Sequence, residues 1–134
     1  MSPRGRRIAL GVALLAYVPV IAWVGLVATP GYGSLPWLSI VIAPAALAVL
    51  ALGVLRNTRP ARVTAWAALG VLGLWLVENV VAIFWYLVGW ERRQGAQLGD
   101  AIVGALGESV PRVPYWLAAL FPLCVAGAYL WRSR

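Results

Sequence analysis

The longest apolar run of the chain extends from Val63 to Trp90, and its length limits what this sequence can fold into. The hydrocarbon of a bilayer is about 30 Å thick and is crossed by roughly 20 helical residues. Residues 63–90 therefore suffice to cross it with several residues to spare, and charged residues bound the run at Arg62 and Glu91. The run predicts a transmembrane helix.

Composition indicates a membrane protein throughout. The 134 residues are 63% hydrophobic, with a mean hydropathy of +0.86 and only eleven basic and four acidic side chains. This is typical of a compact helical membrane bundle. The net charge of +7 would suggest nucleic acid in a soluble protein, but every basic residue is Arg and nearly all lie between apolar runs. We interpret them as topogenic charges and expect no nucleic-acid partner.

Four apolar runs predict an all-α, four-helix transmembrane bundle forming one membrane domain over residues 1–134. The expected spans are about 8–29, 37–55, 63–90 and 113–131. The first run is long for a signal peptide, so we expect it to be retained as a helix. Between the third and fourth spans, apolar residues recur at helical spacing over about 95–110, which predicts a short amphipathic helix on the outer interface.

The distribution of arginine predicts the orientation. With the N-terminus inside, eight arginines face the cytoplasm and three face outward, which favours cytoplasmic placement of both termini. A bacterial or archaeal cytoplasmic membrane is the expected location. The candidates for contact with lipid headgroups at the inner surface are Arg56, Arg59, Arg62, Arg132 and Arg134.

One acidic residue interrupts the longest run. Glu78 lies sixteen residues after Arg62 and thirteen before Glu91, so we expect it near the middle of the bilayer beside Asn79. An ionised side chain there costs on the order of 3 kcal/mol on insertion scales. A chain that keeps such a residue pairs it, protonates it or uses it. Glu78 and Asn79 are therefore the first candidates for a functional site.

Aromatic residues are predicted beside this carboxyl. Steps of 100° per residue place Trp75 and Trp85 on the face of Glu78, where their indole N–H groups can donate to it. Tyr17 of the first helix is a candidate to border the same place. Such a group fits either a structural or subunit contact, or a carboxyl that carries protons during transport. The residues leave both interpretations open.

The sequence contains few residues that could bind a cofactor or catalyse a reaction. The chain has no His, a single Cys at position 124 and four scattered carboxylates, so we expect neither a metal site nor a haem ligand. No phosphate-binding glycine loop and no nucleophile–base arrangement is visible. We expect a protein that is not an enzyme.

The first hypothesis is therefore a non-catalytic accessory or assembly subunit of a larger membrane complex, with respiratory or other energy-transducing complexes as the candidates. The alternative is a small proton-coupled transporter or channel, as a homodimer that uses Glu78. Four short helices with one membrane carboxylate resemble the general plan of small multidrug-resistance transporters. Those proteins, however, place their essential Glu in the first helix, where this chain has no acid.

Overall fold

The computed structural model describes residues 2–28, 41–56 and 58–132, and nearly all of them are helical, with a turn at residues 94–97. The helices are α1 (Pro3–Ala28), α2 (Ala43–Arg56), α3 (Arg59–Arg93), α4 (Leu98–Ser109) and α5 (Val113–Arg132), with a 3-10 turn at Val110–Arg112. Three stretches are long and apolar enough to cross a membrane: Pro3–Val24, Arg59–Arg93 and Leu98–Arg132. The prediction of a helical protein of membrane type is thereby confirmed.

The helix of the second predicted span is shorter than the three stretches that could cross a membrane. Ala43–Arg56 is apolar but has 14 residues, and residues 37–40 of the predicted span lie outside the described part of the chain. The four-span arrangement therefore stays a prediction.

The longest helix, α3, has clear signals at both ends. Thr58 caps its start, where its hydroxyl oxygen accepts a hydrogen bond from the Ala61 N–H at 3.3 Å, and Pro60 fits the first turn because no N–H is required there. No proline follows until the helix ends, and Gly95 then reverses the chain with a φ of +94°, which favours glycine. The 35 residues extend over about 52 Å.

Residues 98–132 run back along α3 as an antiparallel partner. Gly104 lies against Glu91, Trp116 contacts Asn79, and Gly127 lies against Leu69. From Gly104 to Trp116 the chain advances twelve residues, while the residue contacted on α3 moves back twelve residues, from Glu91 to Asn79. This is the register of an antiparallel hairpin. Helices α4 and α5 thus form one continuous arm, and α3 forms the other.

The predicted 95–110 segment is found as α4, but it packs lengthwise against α3. Its small residues Ala101 and Ala105 are fully buried. The large apolar residues Leu98 and Leu106 remain exposed instead. The reason is steric, since an alanine surface allows two helix backbones to approach closely. Whether α4 lies at a membrane interface stays a prediction.

The remaining helices pack around this hairpin through small residues. Gly11 of α1 meets the Leu55 side chain of α2, and Gly53 of α2 meets the backbone of Ala61 on α3. Helix α1 also contacts α5, where the Tyr17 hydroxyl donates a hydrogen bond to a backbone carbonyl. The largest fully buried apolar side chains of the core are Ile21, Leu47, Leu50, Leu72, Val54 and Ile83.

Candidate functional site at Glu78 and Asn79

Glu78 and Asn79 are neighbours in sequence but lie in different environments. Asn79 is only 1% exposed, whereas Glu78 is exposed on the outer surface of α3. A step of about 100° around the helix separates the two side chains, which suffices to turn one inward and the other outward. The pair therefore makes two sites with different chemistry.

Asn79 is held by a residue of the opposite arm of the hairpin. The Trp116 Nε1–H donates to Asn79 Oδ1 at 3.3 Å. Asn79 Nδ2 is buried and has no hydrogen-bond partner among the described residues. A buried amide that loses its hydrogen bond costs free energy in an apolar interior. Any shift of α5 that broke the Trp116–Asn79 hydrogen bond would therefore be unfavourable, and the contact helps to fix the position of α5 against α3.

Tyr17 belongs to the same layer of the bundle. Its hydroxyl donates to the carbonyl of Ala118, two residues beyond Trp116 on α5. Tyr17 and Asn79 are therefore linked through α5 rather than to each other. Trp75 lies on the buried side of α3 as well, at 6% exposure.

Glu78 instead shares its surface with large apolar residues. Leu74 and Val77 are 73% and 61% exposed, and Trp85 is 63% exposed. In the described part of the chain, the carboxylate of Glu78 has neither a hydrogen-bond partner nor an ion-pair partner. The structure thus places Trp85 on the outer face with Glu78, while it places Trp75 and Asn79 inside and leaves Tyr17 partly buried.

An apolar groove runs beside this outer face. It measures about 570 Å³ and lies between the two arms of the hairpin. Phe84 and Trp85 line one side, and Leu106 and Val110 line the other, with Trp116 at one end. The groove could accept an apolar side chain or a lipid tail, but Glu78 does not line it.

The predicted headgroup arginines fall into two groups. Arg62 and Arg132 line a cleft of about 850 Å³ together with arginines of α1. Arg56 lines a smaller pocket at the α2–α3 connection, and Arg59 is exposed. Arg134 lies outside the described residues. The sequence singled out two cleft arginines but not those of α1, because only folding brings residues 4–7 beside positions 62 and 132.

The sequence also missed the role of Trp116. Tryptophan is common at membrane interfaces, so its position near a span end offered no sign of a hydrogen bond to Asn79. Residue spacing carries no information about which residues of two distant helices meet. Only the register of the hairpin reveals this contact.

No group of three or more His, Cys, Asp or Glu side chains comes together within the described residues. Comparisons with protein-family models, with curated proteins and with solved structures found no match.

Proposed function

We propose that the chain is a non-catalytic accessory or assembly subunit of a larger membrane complex, and that it contacts its partner through the outer face of α3. The observation that carries this proposal is the exposure of Glu78 among exposed Leu74 and Val77 with no partner in the described residues. A carboxylate facing lipid is unfavourable, whereas a hydrogen-bond donor on another subunit would satisfy it.

The proposed membrane placement is a four-helix bundle with both termini in the cytoplasm. Interpolation along the hairpin brings Arg112 level with Ile83, because Gly104 lies against Glu91 and Trp116 meets Asn79. From Arg62 to Ile83 the helix rises about 31 Å, close to the hydrocarbon thickness of about 30 Å. Tips of α3 and α4 would then extend beyond the outer boundary.

This placement sets the depth of Glu78. It lies about 24 Å from the level of Arg62 and about 7 Å inside the level of Ile83, so this placement moves it from the expected middle of the bilayer to the outer half of the hydrocarbon. The cost of exposing a carboxylate falls from the centre toward the interface but persists inside the apolar layer. A partner helix with a donor at this depth would suit the site.

The first test is purification from native membranes in mild detergent, followed by native mass analysis of what accompanies the chain. We expect stoichiometric association with a larger assembly. The Glu78→Leu variant should weaken that association by about 5- to 30-fold, because an interfacial hydrogen bond within a membrane is worth about 1–2 kcal/mol. The helix content of the isolated chain should stay unchanged.

Glu108→Leu is the matched control, since Glu108 is also an exposed carboxyl but lies on α4. It should keep the partner. Undiminished association of Glu78→Leu would refute the proposed contact, and a chain that purifies alone would refute the subunit role itself.

The apolar groove favours one alternative, a small proton-coupled transporter. Its aromatic lining at Phe84 and Trp85 would suit a hydrophobic cation, which such rings attract through cation–π contact. In this alternative Glu78 carries the proton within a homodimer. Glu78→Gln would then abolish pH-dependent uptake in vesicles while leaving the homodimer intact, an outcome that the subunit proposal does not predict.

A further inference from the structure

A cleft at one end of the bundle gathers five arginines from three helices. They are Arg4, Arg6 and Arg7 of α1, Arg62 of α3 and Arg132 of α5. Among the described residues, no acidic side chain lines the cleft, whose volume is about 850 Å³. Like charges brought together without a carboxylate repel one another, so the folded arrangement creates a strongly positive site.

Part of the cleft lining is apolar. Leu10 of α1 lines it together with Val125 and Tyr129 of α5. The same two helices touch where Tyr17 meets Ala118, and they enclose the cleft nearer their charged ends. The site therefore combines a cationic rim with an apolar wall, which is the chemistry of a lipid headgroup joined to its acyl chains.

Arg7 gives a second, independent indication of an anionic ligand. Its Nε atom is buried and has no hydrogen-bond partner among the described residues. A buried guanidinium N–H is normally paired, and arginine pairs with phosphate through two parallel hydrogen bonds. Arg7 also lines the cleft, so a phosphate bound there would offer hydrogen-bond acceptors to its guanidinium.

We propose that this cleft binds an anionic phospholipid whose headgroup carries two linked phosphodiesters. A single phosphodiester balances only one of the five guanidinium charges. Two phosphates in one headgroup bring a second charge without the entropy cost of immobilising a second molecule. Basic pockets between membrane helices on the cytoplasmic side favour such headgroups. The proposal depends on the membrane placement given above, but not on the subunit role.

The test compares lipids at equal phosphate content. The full-length protein is placed in phosphatidylcholine nanodiscs, and its Tm is measured with added cardiolipin, with twice the molar amount of phosphatidylglycerol, or with inorganic pyrophosphate. We expect cardiolipin to raise the Tm by about 5 °C or more, and the other two to raise it by less than half as much. Native mass analysis should show one cardiolipin retained per chain.

Equal shifts with cardiolipin and phosphatidylglycerol would overturn the requirement for two linked phosphates. An equal shift with pyrophosphate would assign the cleft to a soluble anion and overturn the lipid proposal. Failure to retain cardiolipin in native mass analysis would also overturn the lipid proposal. This measurement uses the unaltered protein.

Two variants test the location. Arg7→Gln and Arg132→Gln should each lose at least half of the cardiolipin shift. Arg59→Gln removes an equal charge from the same end but does not line the cleft, so it should keep the shift. Equal losses in all three variants would indicate general surface charge and refute the cleft. A chain that purifies without any partner subunit yet retains cardiolipin would refute only the proposed function.

Discussion

At the scale of single residues, the amide of Asn79 is nearly enclosed but receives only the hydrogen bond from Trp116 among the described residues. Removing one partner of such a hydrogen bond costs more free energy than the bond contributes to stability, because the remaining group stays buried without a partner. The Asn79–Trp116 contact should therefore specify the register of the hairpin as well as stabilise it.

We expect Trp116→Phe to lower the free energy of unfolding in detergent by about 1–3 kcal/mol, since Asn79 then loses its hydrogen bond. Combining it with Asn79→Leu should recover part of this loss, because no buried amide remains. A double-mutant cycle measured by denaturant titration should give a coupling energy of about 0.6–1.7 kcal/mol.

Trp85→Phe provides the control at the residue scale. Trp85 is 63% exposed, so the same substitution should change the free energy of unfolding by less than about 0.5 kcal/mol. Additive effects of Trp116→Phe and Asn79→Leu would show that the two side chains do not stabilise each other.

At the scale of helices, the approach of α2 to α3 depends on Gly53. A Cβ atom at this position would lie 2.7 Å from the Ala61 carbonyl oxygen and 2.9 Å from the Ala65 Cβ. Both neighbours belong to a helix that cannot yield locally, so the two helices would have to separate.

Gly53→Ala is therefore expected to destabilise the protein by about 1–3 kcal/mol, as overpacking does in other cores. Thermal unfolding in detergent measures the loss. Gly70→Ala is the matched control, because nothing lies within 4 Å of a Cβ there and alanine favours a helix over glycine by about 1 kcal/mol. If the Gly53→Ala variant were as stable as the Gly70→Ala variant, the close packing of α2 against α3 would be contradicted.

Helix existence was predictable at this scale, but helix pairing was not. The uninterrupted run and its charged ends define α3, since apolar length and end signals are both local properties. Helix α4 shows the limit. Its apolar residues suggested a face that lies on a membrane, yet burial of Ala101 and Ala105 set its orientation. Small residues carry little hydrophobic signal although they decide which helices approach closely.

At the scale of the whole molecule, the cluster of positive charge at one end predicts the orientation. Cysteine labelling in intact cells can test it in a Cys124→Ser background. Ser2→Cys should be protected from an impermeant maleimide, and Gln97→Cys should react, because both positions are exposed and lie at opposite ends of the proposed bundle. Reaction of Ser2→Cys in sealed cells would reverse the proposed orientation.

The candidate site was predictable only in part at this scale. Glu78 and Asn79 stand out because polar groups are rare in apolar runs. Their opposite environments depend on how the other helices surround α3. The arginine cleft likewise depends on three chain segments meeting, which no local pattern contains. The sequence shows that a polar residue in an apolar run is energetically unfavourable, but only the fold shows which residues contact it.

The unbroken length of α3 also has a mechanical consequence. Because the paired arms of the hairpin continue past the proposed outer boundary, they would move as a lever rather than as separate loops. Pivoting about the arginine-rich end by about 10° would carry the turn at Gly95 sideways by about 9 Å, given an arm of about 52 Å. A small tilt imposed within the bilayer would thus be amplified on its far side.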